Sequence, residues 1–300
     1  MKKIYFLSDA HLGSRAVRDS RAQEIRLCRF LDSIMDDAQE VYMLGDMFDF
    51  WFEYHNVVPK GFTRFLGTLS SMSDRGIRVH YFIGNHDIWA FDYLEKECGV
   101  ILHREPEIAT LQTLSGGGVA SVFFLAHGDA LGDNDRKFLF VRRIFHSKAC
   151  QWLFRNILPA DLGMELGLRW AKGNRMKHQK ENLARENLHI DAEGNVVNQF
   201  GDIIQSGVEQ QNDYATQPFQ GEDNEPLIRF TKRYLKDHLS QKDSFNNQAS
   251  APDYFIFGHR HLPMQMQITA KTQLIILSDW INDCTYAVWD GKELSCRVWE

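Results

Sequence analysis

The chain reads as an α/β protein, and three observations point to that class. Short runs rich in Ile, Val, Tyr and Phe alternate with amphipathic stretches over the first hundred residues. A second set of such runs fills the last fifty, and five small polar motifs each stand where one of these runs ends. Side chains delivered at the ends of parallel strands gather along one edge of a sheet, so this arrangement predicts where a site would form as well as how the chain is layered.

Taken in order, residues 3–8 read as a strand, 19–37 as a helix, 41–44 as a buried strand, 60–75 as a helix and 78–83 as a strand, which is a βαβαβ unit. Residues 90–97 read as helical. Residues 108–114 and 119–126 read as strands around the turn signal Gly116-Gly117-Gly118. A helical stretch over about 134–185 carries Trp152, Leu153, Phe154, Ile157, Leu158, Leu162, Leu166, Leu168 and Trp170 at roughly helical spacing. Residues 186–225, rich in Gln, Asn, Gly and Asp, read as a long solvated loop with room for a hairpin around Glu193-Gly194-Asn195. A helix over 226–239 opens on a proline suited to the first turn. Strands follow at 253–257, 264–269, 273–278, 285–290 and 294–299, the last two joined by the tight-turn pair Asp290-Gly291. The implied organisation is a core of residues 1–133 and 251–300 interrupted by a helical insertion, 134–250, that ends in an acidic loop.

Composition narrows the function. A 300-residue chain that is 44% hydrophobic can bury a substantial core. The net charge of −6 argues against a general nucleic-acid-binding protein. That average hides a polarity: residues 134–185 hold twelve Lys or Arg against four Asp or Glu, whereas 186–225 hold nine Asp or Glu and no Lys or Arg. The five cysteines are widely spaced and form no C-x-x-C, so neither a disulfide framework nor a structural zinc site is indicated, and a reducing cytoplasm is the expected compartment. The apolar run after Lys2-Lys3 is too short for a secretory leader and reads as the first strand. Without any stretch of some 18–20 apolar residues, membrane contact would be peripheral.

The motifs are Asp9-Ala10-His11, Gly45-Asp46, Gly84-Asn85-His86-Asp87, His127-Gly128-Asp129 and Gly258-His259-Arg260-His261. An isolated Asp-x-His or Gly-Asp is usually a turn or a cap, but five such groups at successive strand ends supply a mixed oxygen and nitrogen donor set. Asp9, His11, Asp46, Asn85, His127, His259 and His261 suit two octahedral divalent cations that still hold water. Asp46 is the natural bridge, because a carboxylate offers two oxygens. Two such cations against two aspartates leave a positive centre, which attracts phosphate, polarises it and activates water for in-line attack. His86, next to ligand Asn85, is placed to stabilise the transition state or protonate the leaving oxygen. Asp87 would either hold the His86 ring or cap the helix at 90–97. Asp49 would either anchor a ligand histidine or serve a loop. Histidines 55, 80, 103, 146, 178, 189 and 238 lie outside the motifs and read as ordinary residues.

These motifs, in this order, resemble the calcineurin-like metallophosphoesterase superfamily over about 1–133 and 251–300. The resemblance implies a four-layer αββα sandwich with a helical cap insertion. One metal would take Asp9, His11, Asp46 and His261, and the other Asp46, Asn85, His127 and His259. Through Gly45-Asp46-x-Phe48-Asp49-x-Trp51, His127-Gly128-Asp129-x-Leu131, Asp135 and Leu277-Ser278-Asp279-Trp280, the chain looks most like the UDP-2,3-diacylglucosamine hydrolases of lipid A synthesis. That implies two Mn²⁺ ions, with Fe, Co, Zn and Mg as other candidates. It also implies cleavage of the UDP pyrophosphate to UMP and 2,3-diacylglucosamine 1-phosphate, a cap gripping two acyl chains, and a peripheral position on the cytoplasmic face of the inner membrane. Asn85 and Asp135 would touch substrate, as would Asn174, Arg175 and Lys177 in the cap.

One departure is chemical. The best-known hydrolases of this kind carry Arg after the ligand Asn, whereas this chain has His86, as general phosphoesterases do. A sugar phosphate leaves without much proton donation; an alkoxide benefits from a histidine acid. The rival readings are therefore another phosphodiesterase, phosphatase or nuclease, favoured by His86 and disfavoured by the cap, and a non-catalytic scaffold, which the intact ligand set opposes.

Overall fold

The computed structural model describes residues 1–114, 119–129, 131–132, 136–170, 173, 188–191, 195–200, 202–205, 219–242 and 250–300. Alternation along the first strand explains the layering. In β1 (Lys3–Leu7), Ile4 and Phe6 point to one face and Tyr5 and Leu7 to the other, and all four are buried, so each side of this sheet must be covered.

β1, β2 (Ala38–Met43), β3 (Arg78–Phe82) and β4 (Ile101–His103) pair in parallel in that order. β13 (Thr285–Trp289) and β14 (Leu294–Val298) extend the sheet antiparallel beyond β1, giving six strands in the order β14-β13-β1-β2-β3-β4. A five-stranded sheet runs β11-β12-β10-β6-β5, from β5 (Glu107–Leu111), β6 (Ser121–Leu125), β10 (Tyr254–Phe257), β11 (Met264–Gln267) and β12 (Gln273–Ile276), with β6, β10 and β12 parallel.

Ile4, Phe6, Tyr42 and Phe82 of the first sheet meet Phe123, Leu125, Ile256 and Ile275 of the second, and this is the inter-sheet core. The outer face of the first sheet is covered by α1 (Ser20–Ile34), α2 (Thr63–Asp74) and α3 (Tyr93–Cys98). Leu27, Phe30, Leu31 and Ile34 of α1 are buried at helical spacing, and Asp19 caps its start by accepting from the Ala22 amide. The outer face of the second sheet, Phe124, Phe255 and Phe257, is covered by α7 (Pro226–Lys242) through Leu227, Ile228, Phe230 and Tyr234. Helix, sheet, sheet, helix is the four-layer arrangement that the family resemblance implies.

Three details differ from the sequence reading. The helical stretch at 134–185 is broken, over its described part, into α4 (Arg136–Phe145), α5 (Lys148–Ile157) and α6 (residues 160–170); Ser147 starts α5 by accepting from the Cys150 amide. Residues 188–205 hold a small antiparallel sheet, β7 (Leu188–Ile190), β8 (Val196–Asn198) and β9 (Ile203–Gln205), where a solvated loop was expected. Its β7–β8 pairing does match the hairpin expected around residues 193–195, but strands of three residues carry too little pattern to read. Third, the helix expected at 90–97 begins only at Tyr93, after Asp92, and the edge strand β4 was not foreseen.

Candidate active site

Every motif falls at a carboxyl end of a parallel strand: Asp9 and His11 after β1, Asp46 after β2, Asn85 and His86 after β3, His127 after β6, His259 and His261 after β10. The two sheets therefore deliver their donors to one shared edge. Close approach is enforced by glycine. A Cβ on Gly84 would collide with the Asp46 carboxylate, and one on Gly258 with Ser8 and Asp9.

Among the described residues, seven other than glycine have positive φ, and five of them are Asp9 (56°), His11 (44°), Asp46 (53°), His259 (68°) and His261 (45°). Such conformations persist only where surrounding contacts hold them, and they concentrate at functional sites. Here the holding contacts are visible. The amides of Asp9 and His11 donate to the carbonyls of Gly45 and Asp46, the His86 amide donates to Asp46 Oδ1 at 2.8 Å, and the His259 amide donates to Asp9 Oδ2 at 2.8 Å.

Two donor groups result. Asp9, His11 and His261 form one and Asp46, His127 and His259 the other, with the candidate ligand atoms of each within 4.8 Å of one another. In the first, Asp9 Oδ1 faces Nε2 of His261 at 3.2 Å and of His11 at 3.6 Å, while those two Nε2 atoms are 3.1 Å apart. In the second, His127 Nδ1 lies 2.8 Å from the Leu44 carbonyl, which places its proton there and turns the Nε2 lone pair toward Asp46 Oδ2 and Asn85 Oδ1, both at 3.2 Å. A positive charge between these atoms satisfies all three, and the neighbouring Asp46 carboxylate favours it strongly enough to raise the His127 pKa well above its ordinary value despite burial. Asp46 Oδ2 also lies 3.9 Å from His11 Nε2, so this carboxylate stands between the two groups, as a bridge must.

The electrostatics agree. Burial pushes the Asp9 carboxyl up, but the charge of His261 and hydrogen bonds from His11 and His261 outweigh it and hold it well below the usual range. Asp46 is likewise held down despite burial, by His127, His86 and His11. His261 loses basicity to burial and regains more from Asp9 and Asp279, ending at about 10. His259, buried and beside His127, falls to about 3. Carboxylates that stay ionised in a buried place favour positive charge there.

The histidine rings are steadied from behind. His11 Nδ1 faces Asp49 Oδ1 at 3.6 Å, and His261 Nδ1 faces Asp279 Oδ2 at 3.5 Å. Asp49 thus anchors His11, the more interesting of the two roles its sequence context left open. Asp279, in the loop after β12, stands out in sequence only within a shared motif; its one other signal is an acid soon after a buried apolar run. Arg260 pairs with buried Glu225, Nε to Oε1 at 2.6 Å, and so ties the loop bearing His259 and His261 to the start of α7.

His86 faces the same centre. Its Nδ1 lies 2.8 Å from the Asp49 carbonyl, its ring stands edge-on to His11 with centroids 4.8 Å apart, and burial holds its pKa down. Asp87 does neither task expected of it. Its carboxylate accepts from the amides of Met47 and Gly84 and from Tyr81 Oη at 2.6 Å, and burial beside Asp46 raises its pKa to about 6. The ring of His86 is held by Asp49 instead, and Asp92 precedes the next helix. Asp135, Asn174, Arg175 and Lys177 lie outside the described residues.

Beside the centre, the insertion presents an apolar surface. Phe140, Trp152, Leu153, Ile157 and Leu162 of α4–α6 are exposed, and α5 buries none of its side chains. The insertion is fastened to the core through Phe154 against Phe52 and Trp89, and through Arg15–Glu165 at 2.5 Å. Among the described residues, no helix is long and apolar enough to cross a membrane.

Known proteins resemble the chain in sequence and, distantly, in structure. The chain is 39% identical over 297 residues to a UDP-2,3-diacylglucosamine hydrolase from Porphyromonas gingivalis, covering 97% of this chain and 95% of that one. It is 30% identical over 192 residues to the enzyme of that name from Edwardsiella ictaluri, covering 64% and 68%. Among solved structures, a dimetal phosphatase from Danio rerio aligns over 100% of this chain and 99% of its own at 13% identity and a TM-score of 0.35. Residues 2–191 match the model of the calcineurin-like phosphoesterases, and the chain belongs to that family.

Proposed function

We propose that this chain hydrolyses the pyrophosphate of UDP-2,3-diacylglucosamine, releasing UMP and 2,3-diacylglucosamine 1-phosphate. The observation that carries the reading is likeness to the Porphyromonas gingivalis hydrolase over nearly the whole length, insertion included, in a chain whose donor atoms converge as a two-cation site requires. Asp9, His11, Asp46 and His261 would hold one divalent cation and Asp46, Asn85, His127 and His259 the other; the mixed nitrogen and oxygen set suits Mn²⁺. When bound, the pair supplies Lewis acidity toward the phosphoryl oxygens and a more acidic water.

The protein residues do the rest. Asp49, Asp279 and the Leu44 carbonyl fix which nitrogen of His11, His261 and His127 faces the centre. The Nδ1 proton of His86 is committed to the Asp49 carbonyl, so its Nε2 donates toward phosphoryl oxygen once the ring gains a second proton, which charge building there favours. The exposed apolar residues of α4–α6 offer a surface to acyl chains, and the surrounding Lys and Arg suit phosphates and anionic headgroups at the cytoplasmic face of the inner membrane. On this reading the enzyme works at that membrane surface and not on nucleic acid.

A second reading is favoured by one observation, the imidazole of His86 poised at the centre: hydrolysis of another phosphodiester or phosphomonoester, whose alkoxide leaving group a histidine acid serves. Turnover of UDP-2,3-diacylglucosamine, an aryl phosphodiester and single-stranded DNA, compared in detergent with Mn²⁺, separates the two. The lipid substrate should be preferred; preference for either of the others would move the function to general phosphodiester hydrolysis. Asp46→Ala should lose turnover of every substrate by about 10³-fold or more while remaining folded by circular dichroism. Undiminished activity in that variant would refute the dimetal assignment.

A further inference from the structure

A cavity of about 250 Å³ opens beside His127. Its walls include Phe82 at the end of β3, His103 at the end of β4 and Pro106 in the turn after it, His127 and Leu131 after β6, and Arg142 of α4. We propose that it receives the nucleoside half of the substrate, a pyrimidine nucleoside 5′-monophosphate group, while the other half lies against the insertion. This rests on the reading of the substrate as a UDP-linked lipid.

Size speaks first. Pockets for drug-sized ligands run from about 300 Å³ upward, so this one suits a single-ring nucleoside better than a pair of acyl chains. Position comes next: His127 lines the cavity and also belongs to the donor cluster, so a group bound here is joined directly to whatever reacts at the centre.

The walls then suit a flat base with acceptor oxygens. The ring of His103 stacks on Phe82, with centroids 4.4 Å apart and planes 12° from parallel. Both its nitrogens are turned to protein neighbours, Nε2 to His80 at 2.9 Å and Nδ1 to the Glu107 carboxylate at 2.6 Å. What His103 offers the cavity is therefore carbon, an aromatic surface of the kind bases stack on. Arg142 supplies the polar contact. Its Nε donates to buried Asp129 at 2.7 Å, which fixes the guanidinium, and among the described residues its terminal nitrogens donate to no protein atom. Uracil O2 and O4 and the ribose hydroxyls all accept, whereas a guanidinium only donates.

The test is isothermal titration of the full-length protein with Mn²⁺, using UMP and ribose 5-phosphate, which reaches the centre but lacks the base. UMP should bind about tenfold or more tightly. Arg142→Gln should remove most of that advantage. Because that change leaves Asp129 buried without its partner, Pro106→Trp is the second variant; it fills the mouth of the cavity from an exposed position and should bring UMP to the affinity of ribose 5-phosphate. Equal affinities in the wild type, or wild-type UMP binding by Pro106→Trp, would overturn the proposal. An enzyme that turns over the lipid but does not prefer UMP loses the cavity assignment alone. One that prefers UMP but leaves the lipid intact loses the substrate assignment alone.

Discussion

Asp9, His11, Asp46, His259 and His261 each hold a left-handed backbone conformation that costs an L-residue roughly 1–3 kcal/mol, and the chain tolerates it at five positions of one cluster. The amides of His86 and His259 explain how, since each donates to a carboxylate of another motif and so locks loops from different strands together. Asp279 shows how far this support reaches beyond the motifs. It faces His261 Nδ1 and also accepts from the amides of Ile281 and Asn282, so its position is fixed from two sides. Asp279→Asn should weaken metal affinity by about 10- to 100-fold, measured by competition with a chelating dye, with little change in thermal stability. Wild-type affinity in that variant would remove Asp279 from the site. The motifs that carry these ligands are legible because each is a short polar word after a buried run. Asp279 and Glu225 are not, because an acid at a strand end or before a helix looks the same whether it caps, pairs or orients.

At the scale of elements, the strands were readable where both faces are covered, as in β1, β6 and β10, since continuous apolar runs of four or five residues then stand out. The small sheet β7–β9 was missed because three-residue strands have no period, and the breaks among α4, α5 and α6 were missed because the apolar spacing continues across them. The link between elements that sequence concealed most fully is Glu225–Arg260, joining α7 to the loop of the second sheet that carries His259 and His261. Glu225→Ala leaves the nearly buried Arg260 unpaired and should cost ~3–5 kcal/mol, read from chemical denaturation; a loss under about 1 kcal/mol would show the pair to be dispensable. Between β2 and β3, burial pushes the Glu40 carboxyl up, but hydrogen bonds from His80 and Tyr42 and the charge of Arg78 pull it from 4.5 down to about 2. A depressed carboxylate contributes stability that is fully present above its ordinary pKa and is lost as pH falls toward the folded value. Glu40→Gln should therefore cost about 3 kcal/mol at neutral pH and much less near pH 2, a convergence that denaturation at the two pH values would reveal. Parallel losses at both would contradict the assignment.

At the scale of the molecule, two sheets packed face to face bring their strand ends together at the centre, and on the proposed reading the insertion decides what reaches it. The motifs alone gave the chemistry, because donor type and strand-end placement are written in sequence. Substrate identity was less legible, since it depends on how α4–α6 sit above the strand ends, which spacing does not encode. The exposed apolar face of those helices and the cavity at His127 lie on surfaces that can receive the two dissimilar halves of one molecule, a lipid and a nucleotide. The most direct measurement is product analysis of purified protein with UDP-2,3-diacylglucosamine, Mn²⁺ and detergent. The account predicts UMP and 2,3-diacylglucosamine 1-phosphate in equal amounts, abolished by a chelator and restored by Mn²⁺. Intact substrate under those conditions, with an aryl phosphodiester turned over, would contradict it.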